Sequence, residues 1–254
     1  LNPPTPTPAS AKNWTKTADR PLRSLRKSLG VWLFAHFVGV PVPWGAARQT
    51  DGRALLAYEH QRLLALAAAG ERVPPVLEFD GHRLVTGDIG TTLDHWLYTH
   101  GDAERLPMML AAAADLAAFH VRGHWHGGAQ TRNITWDGTH FARLDFEERL
   151  QPGLPLATVQ LYDALQLVFS LARYLAPLGP QAVMALLTAY AGASAGQAGV
   201  PDLRAFLRQL LPRLHRVSRL AAWSPRLDRS REVQRLRTVL DGMAAFVQGT
   251  PQQR

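Results

Sequence analysis

The stretch from His120 to Glu148 constrains this chain more than any other. It carries two polar centres: His126-Gly127-Gly128 followed by Asn133, and Asp145-Phe146-Glu147. Between them, Asn133–Trp136, the dipeptide Asp137-Gly138 and the alternating run Phe141–Phe146 predict a two-stranded hairpin. A hairpin of this length returns Asp145 to the end that Asn133 leaves. An amide oxygen beside a carboxylate is a small set of hard ligands, suited to Mg²⁺ with phosphate oxygens completing the shell.

The order of these residues resembles the catalytic and metal loops of the protein-kinase-like superfamily. There the pattern is H-R-D or H-G-D, four residues, then N, followed by a strand pair ending in D-F-G. Leu116, Phe119-His120, Gly123 and His126 are similar to the lead-in of that loop, and Asp145-Phe146-Glu147 stands where D-F-G is expected. Gly128 occupies the position of the family's Asp, five residues before Asn133. The nearest flavour is the bacterial atypical kinases, which include lipopolysaccharide-core kinases and the kinase-like subunit of the KEOPS tRNA-modification complex. The resemblance spans roughly residues 12 to 175. It implies an α+β, two-lobed fold with a reduced small-lobe sheet and a mostly helical large lobe. The matching layout is a disordered tail at 1–10, a small lobe at 11–87 with an insertion at 20–50, and a helical lobe at 88–248.

By the same resemblance, Lys16 on a short strand, Asn13–Thr17, contacts nucleotide phosphates and is held by Glu59 on the following helix. The plain alternatives are a solvated lysine and a helix-surface glutamate paired with Arg62. The sequence holds only three lysines, Lys12, Lys16 and Lys27, and no glycine precedes Lys16, so the phosphate-covering glycine-rich loop is not among these residues. Gly87, Asp88 and Ile89 match the hinge along which adenine lies. Asn133 and Asp145 are the implied metal ligands. His126 and Gln130 are the groups left to orient an acceptor hydroxyl. ATP and Mg²⁺ are the implied cofactors. The implied acceptor is a protein, a tRNA-complex component or a lipid glycan.

Composition narrows the alternatives. The chain has 254 residues, 46% of them hydrophobic and 19% charged, enough for a substantial core. Cysteine is absent, which excludes disulfides, thiolate metal sites and a cysteine nucleophile and fits a reducing, cytoplasmic compartment. The net charge of +8 suits nucleic acid, anionic lipid or phosphorylated partners. No Walker A or G-x-S-x-G motif occurs. His120, His124, His126 and His140 match no standard zinc spacing, and a loop-bracing role for His126 is the simpler reading.

Along the chain, Arg20, Arg23, Arg26 and Lys27 lead into an uncharged aromatic stretch, Leu29–Trp44. This reads as a helix covering the small lobe, or as a peripheral anchor at the inner membrane surface; it is too short to span. Helices are predicted over Gly52–Ala69, from Thr91 or Thr92 to Tyr98, and over Leu106–Val121, Leu156–Leu175, Gln181–Ala191, Pro201–Leu220 and Ser230–Val247. A strand is predicted over His82–Thr86. Asp163 sits among apolar neighbours; the resemblance implies that it braces the His126-Gly127-Gly128 loop, and the plain alternative is a surface aspartate. Three functions compete: an ATP-dependent, serine/threonine-kinase-like phosphotransferase, a pseudokinase lacking the base that Gly128 replaces, and a basic lipid- or nucleic-acid-binding adaptor.

Overall fold

A three-stranded antiparallel sheet opens the fold, in the order β1-β3-β2. Strand β1 (Asn13–Thr17) pairs with β3 (Arg83–Gly87), with Lys16 opposite Leu84, and β2 (Val76–Phe79) pairs with the other edge of β3. The computed structural model describes residues 13–197, 199–221, 223 and 228–249; the proline-rich segment 1–10 and Lys12 lie outside the described residues.

The helix α3 (Gly52–Ala68) packs against all three strands. Asp51 caps it, accepting the Ala54 N–H at 3.1 Å. Leu55, Leu56, Glu59, Leu63 and Leu66 fall on its buried side at helical spacing, so one carboxylate shares a face with four leucines. A β-carbon on Gly52 would stand 2.0 Å from the Ala18 carbonyl oxygen, so glycine is what lets this helix start against the end of β1.

A second sheet runs β4 (Thr91–Thr92), β5 (Ile134–Trp136), β6 (Phe141–Arg143). The β5–β6 pair is the expected hairpin around Asp137-Gly138, with Ile134 opposite Arg143. The two-residue strand β4 carries too little pattern to be seen in the sequence. Thr92 then caps α4 (Leu93–Thr99).

The rest is helical: α5 (Asp102–Val121), α6 (Leu156–Leu175), α7 (Pro180–Ala193), α8 (Leu203–Ala221) and α9 (Arg231–Gln248). α7 packs between α5 and α9, α9 also meets α8 and α6, and α5 meets α6. Ala112, Ala113, Leu116 and Ala117 of α5, Leu171 of α6, Val183 of α7 and Met243 of α9 are buried in one continuous core. The architecture is α+β, with small antiparallel sheets and a large helical portion.

Residues 20–50 depart from expectation. They form α1 (Leu25–Phe37) and the short α2 (Trp44–Ala47). The sequence suggested a cover for the first sheet, but α1 is held by α2 and by α6, where Phe34 meets Phe169 edge-on at 5.9 Å. Among the described residues no helix is long and apolar enough to cross a membrane.

Candidate functional site

Three charged side chains, far apart in sequence, converge between the first sheet, α3 and the β5–β6 hairpin. The Lys16 ammonium donates to both Glu59 carboxylate oxygens, at 2.6 and 2.8 Å, and to Asp145 Oδ1 at 2.6 Å. β1 presents Lys16, and α3 presents Glu59 from its buried face, where the residue is 2% exposed. The surface alternative for Glu59 is therefore wrong. Arg62, its suggested partner, instead donates to the Trp125 carbonyl at 2.7 Å and stacks over the Trp125 ring.

Asp145 reaches the lysine through an unusual backbone. Its φ is +71°, the left-handed region that a residue with a side chain seldom occupies. The hairpin ends one residue earlier, where the Leu144 N–H donates to the Asn133 carbonyl at 3.0 Å. The left-handed turn then carries the Asp145 carboxylate off the strand path towards Lys16. Strain of this kind persists where surrounding contacts hold it and clusters at functional sites.

The charges shift one another. Burial disfavours the Lys16 ammonium, but the neighbouring Glu59 and Asp145 carboxylates outweigh it and hold its pKa above the ordinary lysine value. Burial likewise opposes the Asp145 carboxylate, and Lys16 overcomes it, lowering that pKa. For Glu59 burial prevails: its pKa is raised despite the lysine.

The His126-Gly127-Gly128 loop is braced from beneath. Asp163 is fully buried on α6 and accepts the N–H groups of His126 and Gly127 at 2.6 and 2.7 Å. It is a loop brace rather than a surface residue. Gln166 donates to the Gly127 carbonyl at 3.1 Å, and Asn133 Nδ2 donates to the Gly128 carbonyl at 2.9 Å. That bond fixes the Asn133 amide and leaves its oxygen available.

His126 is a correction to the expected set. Its Nδ1 accepts the Gly128 N–H at 3.0 Å, so Nε2 carries the proton and donates to the Leu144 carbonyl at 2.9 Å. The residue is 1% exposed, and burial lowers its pKa to about 4. With both nitrogens engaged it has none to offer an acceptor hydroxyl, and it acts as a strut between the two loops.

Gly127, Gly128, Gln130, Asn133, Asp145 and Glu147 line one side of a cavity of about 970 Å³. The insertion lines the other side with Arg20, Arg23, Lys27 and Phe34. Arg20 forms an ion pair with Glu147 and Arg23 with Glu148, and Gln49 donates to Glu147 at 3.3 Å. The segment after Asp145-Phe146 is thus clamped by the start of the insertion. Two of the four basic residues that suggested a membrane anchor are engaged inside the protein. Carboxylate oxygens of Glu59, Asp145 and Glu147 lie within 4.8 Å of one another, the one such cluster among the described residues.

Of the expected nucleotide-contacting residues, Lys16, Glu59, Gly87, Asp88 and Ile89 are all outside the lining of this cavity, Lys16 and Glu59 reaching it only through Asp145. The Gly87 N–H donates to the Pro75 carbonyl at 3.0 Å, and the Ile89 carbonyl accepts the Thr135 hydroxyl at 3.0 Å. Asp88 faces solvent and accepts the Trp14 indole N–H at 3.4 Å. The segment links the two sheets through these contacts.

Sequence reasoning missed the Arg20–Glu147 and Arg23–Glu148 clamps and the struts Gln160 and Gln166. Gln160 donates to the carbonyls of His120 and His124, both at 2.9 Å. The available signal was the placement of Gln160, Asp163 and Gln166 at three-residue steps within an apolar helix, which puts them on one side of it.

No family model matches the chain. Over 89 residues, 34% of its length, it is 34% identical to a protein of Haemophilus influenzae described only as uncharacterized. The match covers 37% of that relative's length.

Proposed function

We propose that this chain is a two-lobed, protein-kinase-like phosphotransferase that uses ATP with Mg²⁺. The observation that carries the reading is the meeting of Lys16, Glu59 and Asp145. It joins a strand lysine to a helix glutamate 43 residues on and to an aspartate 129 residues on. A lysine placed only for solubility needs no buried carboxylate from α3. Phosphoryl transfer works mainly by positioning and by neutralising charge, which is what such a set provides.

The residues present fit a divalent ion. Asp145 keeps Oδ2 without a hydrogen-bond partner among the described residues, since Lys16 engages only Oδ1. The Asn133 amide is oriented through its nitrogen, and both residues line the cavity. These are hard oxygen donors of the kind Mg²⁺ takes alongside phosphates. When bound, the ion would neutralise developing phosphate charge. Lys16 would supply a fixed cation, Glu59 would hold that cation in place, and Gln130 from the cavity wall would orient an acceptor hydroxyl.

The pseudokinase reading is favoured by one observation, Gly128. No carboxylate stands at the position where the family has its base, and His126 cannot replace it. A well-placed base contributes roughly 10²–10⁴-fold in rate. Gly128 does not have a positive φ, and a β-carbon there would sit 3.4 Å from Asn133 Nδ2, an ordinary contact. Gly128→Asp therefore fits the loop. The test is release of the γ-phosphate from ATP by the parent and this variant. Slow release that rises by roughly tenfold or more in Gly128→Asp supports a kinase-like cleft weakened at one position. Release that is already fast and falls in the variant would mean that Gln130 or another group serves the acceptor. No Mg²⁺-dependent ATP binding in the parent would remove the phosphotransferase reading.

A further inference from the structure

Of the twelve large apolar side chains left exposed among the described residues, eight belong to two segments: Leu25, Leu29, Leu33, Phe34 and Trp44 in α1 and α2, and Val217, Leu220 and Trp223 at and just past the end of α8. Leu25, Leu29 and Leu33 recur every four residues, so they form one stripe along α1. They are 60%, 45% and 52% exposed. The buried side of the same helix is marked by Ser28 and Ala35, and the cavity side by Lys27, Val31 and Phe34. The leucine stripe points to neither. α1 therefore has three distinct sides, and nothing among the described residues covers the third.

Charge identifies what covers it. No aspartate or glutamate occurs from residue 20 to 50 or from 203 to 227. Arg26, seven residues before Leu33 and so on the same side of the helix, is exposed and forms no ion pair among the described residues. At the other segment Arg213, Arg216 and Arg219 are exposed beside Val217 and Leu220. The two segments adjoin: a β-carbon on Gly39, just past α1, would lie 3.5 Å from the Arg213 guanidinium. Exposed leucine and tryptophan among arginines that form no ion pair among the described residues, in two segments without an acid of their own, is the composition of a surface that enters the headgroup layer of an anionic bilayer. A nucleic acid would use the arginines but not the leucines. A second copy of the chain would bring arginine against arginine.

We propose that the exposed side of α1, with the adjoining end of α8, docks this protein on anionic lipid bilayers. The inference stands apart from the phosphotransferase reading. The test is flotation of the full chain with vesicles of phosphatidylcholine alone and with vesicles containing phosphatidylglycerol. The chain is expected to float with the anionic vesicles and much less with the neutral ones. Leu29→Glu with Leu33→Glu is expected to lower the bound fraction by roughly tenfold or more. Leu25→Ser with Leu33→Ser, a milder pair, is expected to lower it in the same direction. Leu64→Glu with Leu77→Glu, exposed leucines elsewhere, is expected to leave it unchanged. Circular dichroism confirms that each variant folds. Failure of the parent to float with anionic vesicles would overturn the proposal. So would unchanged flotation of both stripe variants, or an equal loss in the Leu64/Leu77 variant.

Discussion

Lys16 is the residue on which the site turns. Its ammonium is shared by two carboxylates, and one of them, Glu59, has a side chain only 3% exposed. Replacing Lys16 by methionine leaves that carboxylate buried without a partner. Breaking a fully buried pair costs about 3–5 kcal/mol, and because Lys16 itself is 30% exposed, a loss nearer ~1–3 kcal/mol is expected. Lys16→Met with Glu59→Leu removes both charges and should return most of that stability without restoring nucleotide affinity. Urea denaturation and nucleotide titration of the two variants measure the two effects separately. Lys27→Ala should leave stability unchanged, because Lys27 forms no ion pair among the described residues, and should cost less affinity than Lys16→Met although Lys27 also lines the cavity; equal loss of affinity there would point to general electrostatics. The Lys16–Glu59 contact was legible only through the family pattern, since strand alternation names no partner on another element. The left-handed backbone of Asp145 was not legible at all, because aspartate in a sequence carries no mark of its φ.

At the scale of elements, two devices hold the His126-Gly127-Gly128 loop and the insertion. The first is the His126 strut. Its folded pKa, about 4, lies below the ordinary histidine value of about 6.5, so on acidification the unfolded chain takes up the proton first. The stability this contributes is complete above about pH 6.5 and is lost as pH falls towards about 4. The loss is about 3 kcal/mol at most. Burial shifts His120 in the same direction. Urea denaturation across that window should show falling stability in the parent and a shallower fall in His126→Gln. An identical fall in the variant would mean that the strut is not the titrating group. The second device is the pair of clamps, Arg20–Glu147 and Arg23–Glu148. Arg20→Ala with Arg23→Ala should free the start of α1, seen as faster amide exchange over Leu25–Phe37, with little change in α9. Protection like the parent's would show that Phe34 against Phe169 suffices. The limits of β1 and α6 were readable from strand alternation and from a long apolar run. The clamps were not, because they join residues about 125 positions apart whose charges look, in the sequence, like solvated surface.

For the whole molecule, the central claim is that the first sheet, α3 and the β5–β6 hairpin exist in this arrangement to set a lysine, a glutamate, an asparagine and an aspartate around a metal-bound nucleotide. Residue pattern led to the hairpin, and the family resemblance to the α+β architecture. It did not lead to the cavity, whose far wall is the insertion and whose lining omits Gly87–Ile89. Packing of α1 against α6, rather than over the first sheet, decides that geometry. It is set by long-range fit between aromatic side chains that local pattern cannot report. The most direct measurement is calorimetric titration of ATP into the parent and into Asp145→Ala, each with and without Mg²⁺. The account predicts binding by the parent that needs Mg²⁺, and a loss of roughly tenfold or more in affinity in Asp145→Ala while the variant stays folded. Equal, metal-independent binding by both proteins, or no binding by the parent, would contradict it.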